Sequence, residues 1–172
     1  MYLLEKSFNV ITKPFLYFTI ENALPDVVAN ELLSTYFCRD NRLWRSFIQT
    51  QIDYLDDTIA LLDAKFGLPT QPLIYEINFP HYRPNGGQII RDWHIDGAQK
   101  KYQIIYYLGR PDPAGHTQLT DQDGKYIETL CFKHNRLLVF HSDRYKIPSW
   151  HRFFGTVSND RLTFNMPLVY KS

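Results

Sequence analysis

The chain has 172 residues, with 19 basic against 18 acidic for a net charge of +1, and it is rich in aromatic residues at 16%. Charge this balanced gives no electrostatic reason to expect nucleic acid or an anionic membrane surface as partner. No apolar run approaches the roughly 20 residues that cross a bilayer, and no secretory leader is expected. The length suits one domain that buries its own core. It is expected to be cytoplasmic and a monomer or dimer, with Cys38 and Cys131 as reduced, buried small side chains instead of a disulfide.

Residues 15–20 are largely aromatic and apolar and read as a first strand. Pro25 suits the first position of a helix and Asp26 its N-terminus. That helix runs to about Phe37 and turns Val27, Val28, Leu32 and Leu33 inward. Residues 38–47, with Arg39, Arg42, Trp44 and Arg45, read as a solvated, partly packed link. Ile52, Leu55, Ile59, Leu62 and Phe66 then recur at spacings of three and four, the stripe of one amphipathic helix. Gly67 stands where a C-cap glycine belongs.

From Leu73 onward the pattern becomes one of strands, expected over 73–79, 88–95, 102–108, 126–132, 136–141, 149–154 and 161–170. Turn residues separate them at Pro84-Asn85-Gly86-Gly87, at 111–115, at 121–124 and at Ser158-Asn159-Asp160. Helices followed by a run of short strands indicate an α+β, mainly β chain. A double-sheet jelly roll or cupin-like barrel is the expected β part. The N-terminal strand and supporting helices fall in 1–72 and the β core in 73–172.

His94-Ile95-Asp96 places an imidazole and a carboxylate two residues apart, and on an extended segment both project from one face. They supply two of the three ligands of the 2-His-1-carboxylate triad that holds non-haem Fe(II). A His-x-Asp pair is expected by chance roughly 0.45 times in a chain with these counts, so the pair needs its context. Four later histidines compete for the third place. His116 lies in a Pro/Gly-rich loop and His134 in a turn, and both read as solvated. His141 ends the apolar run 137–140, and His151 follows Trp150 on the next strand. A buried arginine that forks onto a carboxylate would anchor a diacid in the same pocket. Arg161 lies 10 residues after His151 and 20 after His141. The shorter spacing fits two neighbouring strands joined by the turn at 158–160, so His151 is preferred as ligand and His141 is left to a supporting or core position.

Taken in order, these pieces resemble the prolyl-hydroxylase-type branch of the Fe(II)/2-oxoglutarate dioxygenases. They are Tyr82 with Pro84-Asn85-Gly86-Gly87, His94-Ile95-Asp96, residues 104–108, residues 136–144, His151 and Arg161. Where that family has Gly-Gly-x-Leu, this chain has Gly115-His116-Thr117-Gln118-Leu119. The resemblance implies a double-stranded β-helix with Fe(II) on His94, Asp96 and His151. It implies Arg161 and the Tyr107 hydroxyl on the far carboxylate of 2-oxoglutarate, with Tyr82 beside that cosubstrate. Strand parity brings Gln103 and Ile105 inward with Tyr107, and Thr163 and Asn165 inward with Arg161. Trp93 is expected on the substrate side or behind the ligands.

The implied reaction hydroxylates an unactivated C–H bond, consuming O2 and 2-oxoglutarate and releasing succinate and CO2, with ascorbate as reductant. A prolyl residue in a peptide or protein, a free amino acid and another small molecule all remain as substrates. A cupin-like metal-binding or sensor module without turnover is the reading from another class.

Overall fold

The computed structural model describes residues 6–38, 42–76, 80–83, 86, 88–90, 92–97, 99–110, 112–142, 148–156 and 161–171. Strand β1 (Tyr17–Ile20) leads into helix α1 (Asp26–Phe37), with Pro25 as its N-cap residue. Asn135 holds this corner: its side-chain amide donates to Leu24 O at 2.8 Å and accepts from Leu24 N at 2.9 Å. Leu32 is buried as expected and Val28 and Leu33 pack on the core, but Val27 is 67% exposed and Ala29 takes the buried place in the first turns of α1.

The expected link at 38–47 is half helix. Helix α2 (Arg42–Asp53) buries Trp44, Phe47 and Gln51 beneath its arginines; residues 39–41 lie outside the described residues. The apolar stripe from Ile52 to Phe66 spans two helices, because the chain turns at Tyr54 before α3 (Leu55–Phe66). Gly67 closes α3 in the left-handed conformation (φ 68°), where a residue without Cβ is favoured.

Among the described residues, ten strands form two antiparallel sheets. The larger has β1, β8 (Arg136–His141), β5 (Lys100–Gly109), β10 (Arg161–Tyr170) and β2 (Leu73–Tyr75) in that order, with the short β3 (His81–Arg83) also on β10. The smaller orders β4 (Gln88–Ile90), β9 (Trp150–Thr156), β6 (Asp112–Thr120) and β7 (Ile127–Phe132). The bounds of α1, β8 and β10 agree with the sequence reading. Expected strand residues 77–79 and the turns at 84–85 and 158–160 lie outside the described residues.

The structure corrects the sequence reading at β6, at His134 and at the cysteines. Residues 112–120, expected as turn and loop, make a strand paired with both β7 and β9, and a register shift between Asp112 and His116 absorbs the Pro/Gly stretch. His116 is therefore a half-buried strand residue. His134 does sit in a turn, but its Nδ1 accepts the Gly109 amide at 3.1 Å instead of facing solvent. Both cysteines are unpaired as expected, yet exposed and not buried: Cys38 caps the end of α1 and Cys131 lies on β7. Among the described residues no helix is long and apolar enough to cross a membrane.

Period-2 alternation divides the larger sheet between two cores. Tyr102, Ile104, Tyr106, Leu108, Leu162, Phe164, Met166 and Leu168 face the helices. Phe164 packs there on Trp44 (ring centroids 5.1 Å) and Tyr106 on Phe47 (5.5 Å). The opposite residues, Ile105, Tyr107, Leu138 and Phe140, meet Leu119 and Phe132 of the smaller sheet. The two sheets thus enclose an inner layer between them.

Candidate metal centre

His151 lies on β9 of the smaller sheet, and the segment beyond β4 carries His94 and Asp96. This segment touches β9 at one point, where His94 and His151 exchange two backbone hydrogen bonds of 3.0 Å each. That rung brings their rings to 4.3 Å between centroids. Asp96, two residues on, returns to the same face, and its Oδ1 lies 3.8 Å from His151 Nε2. One ligand atom from each of His94, Asp96 and His151 lies within 4.8 Å of the others.

The hydrogen-bond partners of these rings fix their chemistry. His151 Nδ1 lies 2.9 Å from Ser149 O, and His94 Nδ1 lies 3.0 Å from Asp92 O. A carbonyl only accepts, so each Nδ1 carries a hydrogen and Nε2 is the ring nitrogen left to face an ion. Lys100 Nζ stands 3.8 Å from Asp96 Oδ2, leaving Oδ1 on the histidine side. Two imidazoles and a carboxylate that converge form a donor set suited to Fe(II) with open positions.

A cavity is lined by His81, Arg83, Phe153, Arg161, Thr163 and Asn165, and Phe153 shares the face of β9 with His151 two residues before it. Arg161 is 2% exposed, and its guanidinium lies over the Phe132 ring (4.8 Å) and the Phe153 ring (5.4 Å). Tyr107, opposite Thr163 in the β5–β10 register, shares a 2.7 Å hydrogen bond with the hydroxyl of Thr117 across the two sheets. Burial raises the Tyr107 pKa, opposed by that hydrogen bond and by the Arg161 and Arg136 charges, so the group is a neutral phenol at physiological pH. Two buried polar atoms on the inner side, Gln103 Oε1 and Asn165 Oδ1, have no hydrogen-bond partner among the described residues. Such atoms are costly unless something polar meets them, so the cavity suits a polar occupant.

No family model matches the sequence, and no curated protein matches it. Solved structures do. A prolyl-4-hydroxylase of Pseudomonas putida superposes with a TM-score of 0.63 over 90% of this chain and 88% of its own, at 14% identity. A prolyl hydroxylase of Trichoplax adhaerens, in complex with a hypoxia-inducible-factor peptide fragment, gives 0.62 over 89% and 83% at 17% identity. The viral collagen prolyl hydroxylase of Paramecium bursaria Chlorella virus-1, as its 2OG complex, gives 0.58 over 91% and 96% at 14% identity. The chain has the double-stranded β-helix fold of these enzymes.

Within that β-helix the expected residues divide. Arg161, Thr163 and Asn165 line the cavity together, Tyr107 borders it, and Ile105 and Gln103 lie on the same inner side. His141 does not join them. It is 3% exposed on the helix side of the larger sheet, its ring 5.8 Å from Tyr102 and 6.4 Å from Phe66.

Tyr82 also points away from the cavity, packed on Tyr36 (5.9 Å) and Phe37 (5.3 Å), because on β3 it is His81 and Arg83 that share the face of Arg161. Trp93 stacks on the Arg152 guanidinium at 4.4 Å, and Arg152 alternates in direction with His151. The sequence reading passed over His81, Arg83, Phe153 and Thr117. The polar-aromatic-polar alternation of His81-Tyr82-Arg83 was the available signal for the first two.

Proposed function

We propose that the chain is an Fe(II)- and 2-oxoglutarate-dependent hydroxylase acting on an unactivated C–H bond. The observation that carries this reading is the convergence of His94, Asp96 and His151, with both Nδ1 atoms committed to backbone carbonyls, beside a cavity floored by a buried arginine. Iron and 2-oxoglutarate, when bound, supply the oxidising chemistry that couples release of succinate and CO2 to hydroxylation, with ascorbate as reductant.

The chain's residues do the rest. His94 and His151 offer Nε2 and Asp96 a carboxylate oxygen, a set that holds the metal from one side and leaves the other open. Arg161 holds the far carboxylate of the diacid in a forked pair, which the Phe132 and Phe153 rings shield from water and so strengthen. Tyr107, neutral and tied to Thr117, presents a hydroxyl to the same carboxylate. Ile105 and Leu119 close the inner wall against water.

A prolyl residue in a peptide or protein is the substrate this reading favours, supported by the three similar structures, all prolyl hydroxylases by name, one with a peptide bound. The protein would do this in the cytoplasm, in keeping with its unpaired cysteines. The test is succinate release by purified protein with Fe(II), ascorbate and oxygen, over proline-containing peptides and free amino acids. Stimulation by one member of that panel in the wild type, and none in Asp96→Ala, is expected. Equal rates in the two proteins across the panel would leave a metal-binding module without turnover.

A further inference from the structure

Strand β3 brings to the cavity two side chains that the reading above does not use. Arg83 is the direct cross-strand partner of Arg161, and His81 of Thr163. Directly opposed residues share a sheet face with Cβ atoms about 4.5–5.5 Å apart. The Tyr82–Leu162 pair between them faces the helices, so His81 and Arg83 necessarily face the cavity and line it.

Two guanidinium-bearing residues placed opposite one another repel. Among the described residues, none that lines the cavity carries a carboxylate and Arg83 makes no salt bridge. An anion beside such a pair turns the repulsion into attraction. The two arginines also differ in depth: Arg161 is buried between aromatic rings, whereas Arg83 is exposed at the rim. A diacid that meets the metal at one end and Arg161 at the other has no carboxylate left for Arg83.

We propose that Arg83, with His81 beside it, is a specificity-determining subsite at the rim of this cavity that takes a carboxylate of the substrate. The substrate is then an acidic compound, or a peptide with an acidic side chain close to the C–H bond that is oxidised. This deepens the hydroxylase reading and rests on it. The imidazole adds a second hydrogen-bond donor beside the guanidinium.

The probes are N-acetylglutamate amide and its uncharged isostere N-acetylglutamine amide. Each is titrated into Mn(II)-loaded protein saturated with 2-oxoglutarate, following paramagnetic broadening of the probe's protons, and into metal-free protein by saturation-transfer NMR. The wild type is expected to bind the acidic probe at least about tenfold more tightly than the neutral one. Arg83→Gln should bind the two alike, Arg83→Lys should keep part of the preference, and 2-oxoglutarate affinity should stay within about threefold in both.

Equal binding of the two probes by the wild type, or an undiminished preference in Arg83→Gln, overturns the proposal. So does a loss of about tenfold or more in 2-oxoglutarate affinity in Arg83→Gln, which assigns Arg83 to the cosubstrate. If the wild type holds neither Mn(II) nor 2-oxoglutarate, it is the hydroxylase reading that fails. The metal-free titration then still decides whether Arg83 selects a carboxylate.

Discussion

The two faces of the larger sheet are built from the same strands and differ only in the parity of their residues. On β10, Leu162, Phe164, Met166 and Leu168 turn to the helices, while Arg161, Thr163 and Asn165 turn to the cavity. Burial does not tell the faces apart, since Arg161 and Thr163 are 2% and 6% exposed and Leu162 and Phe164 are 0% and 1%. What separates them is chemistry. Aromatic and aliphatic packing fills most of one face, while on the other the polar side chains of Arg161, Thr163 and Asn165 line a cavity. A buried polar residue at the right parity is therefore a better pointer to a site than a buried residue as such.

The two histidines His141 and His151 offer the sharpest way to break this division, because both are 3% exposed, His141 on the helix face of the larger sheet and His151 on the smaller sheet, packed on Phe140 of the inner face. His151→Ala should abolish Mn(II) binding and turnover while leaving the far-UV circular dichroism spectrum in place. His141→Ala should keep the metal. If the metal is lost from the second variant and retained by the first, the assignment of the two faces is reversed.

Phe164→Ala probes the helix face from the other direction. It removes a ring that packs on Trp44, Phe47 and Tyr106, and should cost about 3–5 kcal/mol in urea unfolding. Mn(II) affinity of the folded protein should change little. A large loss of metal affinity at unchanged stability would show that the two faces are not separable.

On the inner face, Arg161→Leu should weaken 2-oxoglutarate binding by on the order of 30-fold or more, since truncating one partner of a buried charge pair costs about 2–5 kcal/mol. Normal binding, measured calorimetrically on the Mn(II) form, would remove Arg161 as the anchor. Tyr107→Phe should do less, about 1 kcal/mol for one neutral donor. If it costs as much as the arginine, the Tyr107–Thr117 hydroxyl pair positions the guanidinium as well as the ligand.

Much of this was legible in the sequence because alternation over a long strand is hard to mistake. β8 and β10 have dense apolar residues and no Gly within them, and their ends agree with the structure. From β10 alone, parity placed Thr163 and Asn165 with Arg161. The elements that escaped are those in which local chemistry and tertiary pairing disagree. β6 opens with Pro113, Ala114 and Gly115, residues of a turn, and becomes a strand only because β7 and β9 hold it from both sides. β3 has three residues and is defined by β10, and without that pairing the direction of Tyr82 has no determinant. α2 hides its apolar face, Trp44 and Phe47, among arginines, so its first turn reads as a link. The cysteines were expected to be buried from a general tendency of the thiol, which says nothing about a particular helix end or strand face.

His94 and His151 stand 57 residues apart in sequence (151 − 94), yet each donates its amide to the other's carbonyl. An ion held by their side chains bridges the same two segments that this rung already joins, so ligation acts as a second, reversible crosslink across one long loop. Whatever binds the folded chain and not the unfolded one stabilises it in proportion to its saturation. The metal content of the molecule should therefore be readable far from any reaction, in how slowly the amide hydrogens of residues 94 and 151 exchange with water. A molecule stripped of its ion would open first along the seam where β4 and β9 meet, and its lifetime against proteases would follow its ligation.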